Sequence, residues 1–290
     1  MKKSLLFLFI ILSLHAYSQD NRYYPTSKGE IVKHKNYTLS YAEKHEQAEW
    51  VAYELTAAET RKVVERSDKF RPDPFVPSGS ATLEDYRGSG YDRGHLAPAA
   101  DMGFTSSAMN ESFYMSNMSP QLPGFNRGIW KNLEGLVRSY AKNYEKVYVV
   151  TGPVLNVIAN TIGQQVSIPQ QYYKIVLRGE GKNARMIAFL LKNEKLNEPL
   201  SKFVVNTDFI EKLTGIDFFP QLPDDIEEKL EHTVDKENWY FKGSIATKAN
   251  ISTKTSKEDA TTGRCCGTTK SGKRCSRKAA SGSKYCWQHK

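Results

Sequence analysis

Apolar and polar positions along the chain fall into short runs broken by turn residues. The stretch AEWVAYELTA, from Ala48 to Ala57, alternates enough to predict a strand. VYVVTGPV (Val147 to Val154), YYKIVLRG (Tyr172 to Gly179) and RMIAFLLK (Arg185 to Lys192) are short runs rich in β-branched or large apolar residues, and turn signals close them. They predict three more strands. Two segments carry helical spacing instead. NTDFIEKLTG, from Asn206 to Gly215, opens on a capping residue and ends on glycine. In RGIWKNLEGLVRSYAKNY, from Arg127 to Tyr144, the residues Ile129, Trp130, Leu133, Val137, Tyr140 and Ala141 share one helical face. Ahead of that helix, DRGHLAP reads as a strand leaving a glycine-permitted bend, and SFYMSNMSPQ (Ser112 to Gln121) reads as a second strand. The helix is expected to begin near Asn126. Strands and helices do not alternate strictly, so the expected class is α+β with a largely antiparallel sheet. A strand–strand–helix unit is set into it.

The ends of the chain differ from this body. Lys2 and Lys3, the run SLLFLFIILSL and the small residues Ala16 and Ser18 predict a signal peptide over residues 1–18. The apolar run is too short to span a bilayer, and no other stretch is long enough. The expectation is an exported protein, periplasmic or secreted, with no stable membrane insertion once the signal is removed. Residues 243–263 are rich in Ser, Thr, Lys and Ala, contain no aromatic residue, and read as a linker. This leaves a main domain over 19–242 and a terminal module over 264–290.

Charge sharpens that division. The formal net charge is +9, but 12 basic residues against 2 acidic ones lie from Lys242 onward, leaving 29 against 30 before it. The body is therefore near neutral, and anion binding there must be local rather than the work of a global field. All four cysteines lie after residue 264, so no disulfide holds the body. Composition, with 39% hydrophobic and 25% charged residues, is ordinary for a globular chain.

The strand–strand–helix unit concentrates residues suited to phosphodiester chemistry. Attack on phosphorus needs a water to lose a proton, and a histidine such as His95 can take it near neutral pH. Charge developing on the phosphate can be met by Arg93 or by a divalent cation. Mg²⁺ prefers oxygen ligands and keeps several waters, so a single amide oxygen, that of Asn126, can hold it when other groups order those waters. Glu134 and Arg138 are four residues apart on one helical face, within reach of a metal water and a phosphate. Simpler readings stand beside these. His95 could be a core histidine bonded to a carbonyl, Asn126 a helix cap, and Glu134–Arg138 a surface pair. Trp130 reads as core.

In order and spacing, DRGH (Asp92 to His95), SNMSPQ (Ser116 to Gln121) and FNRGIWKNLE (Phe125 to Glu134) resemble the DNA/RNA non-specific endonucleases of the ββα-metal, or His-Me finger, group. That group includes mitochondrial endonuclease G. The likeness continues through VTGPV (Val150 to Val154) and LTGIDFFPQLP (Leu213 to Pro223). It implies a metal-dependent endonuclease that cleaves DNA and RNA without strong sequence preference and leaves 5′-phosphates. It assigns His95 as general base and Arg93 as the phosphate-binding arginine. Asn126 becomes the protein ligand of catalytic Mg²⁺, for which other divalent cations can substitute. Glu134 orders metal-bound water, and Arg138 stands near the leaving group. Asn117 and Gln121 support the loop, and Asp92 braces the bend. The family's upstream arginine matches either Arg66 or Arg71. A homodimer and an inhibitor protein of unknown identity remain open, as does a role in nutrition or as an antibacterial toxin. The alternative class is a nucleic-acid-binding module without turnover.

The terminal module places Cys266, Cys275, Cys286 and His289 in the spacing C-x8-C-x10-C-x2-H. A Cys₃His set can hold Zn²⁺, and so small a segment has little core without a staple. Two disulfides are the rival reading in an oxidising compartment. The interleaved Lys and Arg would grip phosphates without sequence preference.

Overall fold

The computed structural model describes residues 23–241. The signal peptide, the linker, and Cys266, Cys275, Cys286 and His289 lie outside the described residues.

Seven strands form one antiparallel sheet in the order β1-β2-β3-β6-β9-β10-β11. They are β1 (Glu30–Lys33), β2 (Thr38–Ala42), β3 (Gln47–Thr56), β6 (Lys146–Pro153), β9 (Gln171–Arg178), β10 (Arg185–Lys192) and β11 (Val204–Val205). The four longest are those announced by the apolar runs. Two small ribbons stand apart: β4 (Asp92–His95) with β5 (Met118–Gln121), and β7 (Ile158–Ile162) with β8 (Val166–Pro169). The described residues also form five α-helices: α1 (Leu83–Tyr86), α2 (Ser106–Glu111), α3 (Lys131–Tyr144), α4 (Thr207–Thr214) and α5 (Asp224–His232). Among the described residues no helix is long and apolar enough to cross a membrane.

Successive side chains of a strand point to opposite faces, and each face has its own core. Val51, Tyr53 and Leu55 of β3 point to one side, where Leu133, Val137 and Tyr140 of α3 close over them. Trp50 and Ala52 point to the other side, covered by Ile210 of α4, Leu230 of α5 and the buried Phe218 and Phe219 between those helices. α4 is bounded as its residues dictate. The Asn206 side chain accepts from Phe209 N at its start, and Gly215 ends it in the left-handed conformation.

Two expectations are corrected. Only Met118–Gln121 of the proposed second strand is extended; Met115–Asn117 is a 3₁₀ turn. The long helix does not begin at Asn126. Phe125–Trp130 is a wide π turn, interrupted by non-helical Gly128 (φ −101°, ψ −112°), and the α-helix starts at Lys131.

Candidate active site

β4 and β5 pair antiparallel, with Asp92 opposite Gln121, Gly94 opposite Ser119 and His95 opposite Met118. The ribbon is tight because Gly94 has no side chain. A Cβ there would stand 2.2 Å from Gln121 Cδ. Gln121 is fully buried against that gap, so the glycine admits Gln121 rather than a ligand. Asn117 pins the residues after His95. Its Oδ1 accepts from Ala97 N, and its Nδ2 donates to Ala97 O and Ser112 O, all at 2.9 Å. Asn117 thus ties the loop by hydrogen bonds, while Gln121 fills the space that Gly94 leaves.

His95 is 7% exposed, and its Nε2 is buried without a hydrogen-bond partner among the described residues. Phe70 and Phe113 wall it in, with ring centroids 5.7 and 4.9 Å away. No carbonyl of the described residues holds that nitrogen. Burial, aided by the charges of Arg66 and Arg93, pushes the imidazole down to about 3. It is neutral at physiological pH. Arg93 lies over the Phe70 ring at 4.3 Å, and its Nε is likewise buried and unpartnered.

The two upstream arginines differ in their surroundings, and both have partners: Arg66 Nε donates to Asp68 Oδ1 at 2.6 Å. Arg66 stands over Phe113 at 4.8 Å, and its charge acts on both His95 and Glu134. Arg71 stacks on Tyr114 at 4.1 Å and donates to the carbonyls of Lys69 and Asn110. It is occupied in holding the backbone.

Asp92 does more than brace its own bend. Its Oδ2 accepts from Asn126 Nδ2 and Arg127 Nε at 2.9 Å, and its Oδ1 accepts from Arg127 Nη2 at 2.6 Å. Burial would raise this carboxyl, but the Arg127 and Asn126 bonds outweigh it and hold it below the usual range. Asn126 is therefore no helix cap. With Nδ2 committed to Asp92, Oδ1 is left as the amide's acceptor, the atom a hard cation would use. The donor set fits Mg²⁺ on that ground.

Glu134 and Arg138 do not form the surface pair. Arg138 Nη1 donates to Asp101 Oδ1 at 2.6 Å, and Tyr53 donates to Asp101 Oδ2 at 2.7 Å. Asp101 is fully buried. Burial raises the Glu134 carboxyl, with Lys174 opposing and Asp101 reinforcing the shift. Lys174 is fully buried too, its Nζ 4.9 Å from the Trp130 ring centroid and 3.5 Å from Leu96 O. Trp130 is core, as expected. The structure thus adds Asp101 and Lys174 to the site. A lysine in the middle of the apolar run YYKIVLR was the signal for Lys174.

Known proteins bear on this geometry. The family model described as DNA/RNA non-specific endonuclease matches residues 19–225. Nuclease C1 of Cunninghamella echinulata var. echinulata is 39% identical over 216 residues, spanning 68% of this chain and 86% of its own. Human mitochondrial endonuclease G is 34% identical over 209 residues, or 67% of this chain and 70% of its own. Among solved structures, EndoG in an EndoG/EndoGI complex, described as explaining EndoG inhibition, superposes with a TM-score of 0.62 at 34% identity. It covers 67% of this chain and 87% of the other.

Proposed function

The chain belongs to the DNA/RNA non-specific endonuclease family and is a metal-dependent nuclease; from that premise we propose that His95 is its general base and Mg²⁺ its metal. The observation that carries the reading is the buried, unpartnered imidazole nitrogen set beside Arg66 and Arg93.

Arg93 and Arg66 draw in the scissile phosphate. Burial is the larger cause of the lowered imidazole pKa; the bound anion offsets the contribution of the two cations, so the His95 pKa rises toward the range where it accepts a proton effectively. One ring nitrogen takes the proton of a water as the water oxygen bonds to phosphorus and the bond to the leaving oxygen breaks. Arg93 meets the charge that accumulates on the phosphate oxygens. Asn126, fixed by Asp92, would hold Mg²⁺ with Glu134 ordering its waters, and the ion would supply further charge stabilisation at the phosphate and leaving oxygen. Arg138, fixed by Asp101, keeps its cation on the same helix as Glu134.

Export is supported by Lys2, Lys3 and the apolar run that follows. A mature N-terminus near Gln19, read by mass spectrometry of secreted protein, tests it. For the chemistry, plasmid DNA and RNA are incubated with wild type and His95→Ala in Mg²⁺, with and without chelator. The expected result is a loss of several orders of magnitude in rate with an unchanged unfolding transition, and no cleavage after chelation. Cleavage surviving in His95→Ala would sink the assignment.

A further inference from the structure

Five carboxylates converge on the sheet face opposite α3, where α4 meets α5. Asp208, Glu211 and Glu231 present oxygens within 4.8 Å of one another, and so do Asp217, Glu227 and Glu231. Glu231 is common to both sets and is only 7% exposed. Its Oε1, like that of Glu227, is buried with no N–H or O–H partner among the described residues. Glu231 also lies within hydrogen-bonding reach of the Glu211 carboxylate. The cluster is poor in counter-charge. Among the described residues its ion-pair partner is His232, which reaches Asp208 at 2.9 Å from an exposed position. Glu211 is held in place by Phe218 N, which donates to its Oε1 at 2.8 Å.

Carboxylates packed this way repel one another, and burial adds to the cost. Burial and the neighbouring acids push Glu231 and Glu227 upward. A proton can relieve one pair of oxygens, whereas a divalent cation can relieve a whole group of three. The chemistry selects the cation. The donors are all oxygen, which disfavours Zn²⁺. The oxygens of each group lie within 4.8 Å of one another, close enough to share one Ca²⁺ ion with bonds of roughly 2.3–2.6 Å. Ca²⁺ also accepts six to eight ligands in irregular arrangement, which two helices and a connecting loop supply more readily than the strict octahedron of Mg²⁺.

We propose that Asp208, Glu211, Asp217, Glu227 and Glu231 form a Ca²⁺ site that ties α4 to α5, separate from the catalytic centre. Glu231, buried and shared by both groups, is its central ligand. The ion would act on stability and leave the chemistry at His95 alone.

The test uses the full chain carrying Asn126→Ala, so that the active-site cation position does not contribute. Ca²⁺ is titrated calorimetrically, and thermal unfolding is followed with and without it. At about a hundredfold excess over Kd, Ca²⁺ should raise Tm by roughly 5 to 10 °C. Adding Glu231→Gln should leave the Ca²⁺-free Tm equal or higher, because one repelling charge is gone. It should weaken Ca²⁺ binding at least tenfold and erase the shift. Glu227→Gln gives the same readout should the buried substitution fail to fold. No Ca²⁺-dependent heat or Tm shift in the parent at 10 mM (on the order of the weakest extracellular sites), or undiminished binding in the glutamine variants, overturns the proposal.

Discussion

Gly94→Ala is the smallest change expected to disable the site without removing any reactive group. Gly94 does not adopt a positive φ, so alanine meets no backbone penalty there. The obstacle is space. The new Cβ would lie 2.2 Å from Gln121 Cδ, 2.3 Å from its Oε1 and 2.4 Å from its Cγ, where real carbon contacts exceed 3 Å. Gln121 is fully buried and has nowhere to swing. Overpacking of this kind costs roughly 1–3 kcal/mol, which for a domain of this size lowers Tm by about 2 to 12 °C. The ribbon must widen between Asp92 and His95, and a displacement of about 1 Å in a catalytic group costs on the order of a hundredfold in rate. Gln121→Ala should rescue it. Neither amide atom of Gln121 has a partner among the described residues, so its removal forfeits packing but no hydrogen bond. The assay is a four-member cycle of wild type, both single variants and the double variant, read by thermal unfolding and plasmid cleavage. The double variant should be more stable than Gly94→Ala alone and recover most of its rate. A Gly94→Ala protein with wild-type Tm and rate, or a double variant no better than the single, refutes the reasoning.

Asn117→Ala removes three buried hydrogen bonds and leaves Ala97 N, Ala97 O and Ser112 O unsatisfied; it should cost at least about 2–3 kcal/mol in denaturant titrations and lower cleavage. Arg66→Ala should cut kcat/KM at least tenfold with little change in Tm, whereas Arg71→Ala should lower Tm, and kinetics alongside melting curves separate the two. Acid sensitivity follows from His95: its folded value, about 3, lies below the ordinary 6.5, so the unfolded chain binds the extra proton between those values and stability falls as pH drops through that window. Urea titrations of wild type and His95→Ala from pH 7 to pH 3 should show a steeper loss in the wild type, and parallel curves would contradict the assigned burial of a neutral imidazole.

The strands β3, β6, β9 and β10 were legible because apolar runs and turn residues agree at both ends, and α4 because its cap and terminal glycine do. The ribbon and helix of the site were legible in outline. Phe113, Tyr114 and Met115 favour strands by residue type, yet Asn117 wins by taking both polar groups of Ala97 and the carbonyl of Ser112. That contest depends on residues twenty positions away, which local pattern does not report. Lys174 carried no site assignment in the sequence for a related reason. In an alternating strand a lysine implies a solvent-facing side, and only the packing of α3 over the face shared with Tyr172 and Val176 shows that this side is closed. Asp101 carried no local mark either; its meaning comes from Arg138 and Tyr53, each distant in the chain. His95, Arg93 and Asn126 could be singled out because each lies in a short contiguous motif, whereas the bond from Asn126 to Asp92 joins two of those motifs and has no local mark.

The wide turn at Phe125–Trp130 works as a counting device. Asn126 and Glu134 are eight positions apart. Along an unbroken α-helix, at about 100° per residue, eight steps leave two side chains roughly 80° out of line. Here the π turn adds a residue, and the non-helical Gly128 within it re-aims the segment that carries Asn126 relative to α3. The direction of Asn126 relative to Glu134 is then set by the number of residues between them as much as by their identity. Within this turn the chain tolerates substitution more readily than a change of length, because losing one residue would rotate one partner away from the other while leaving every motif letter in place.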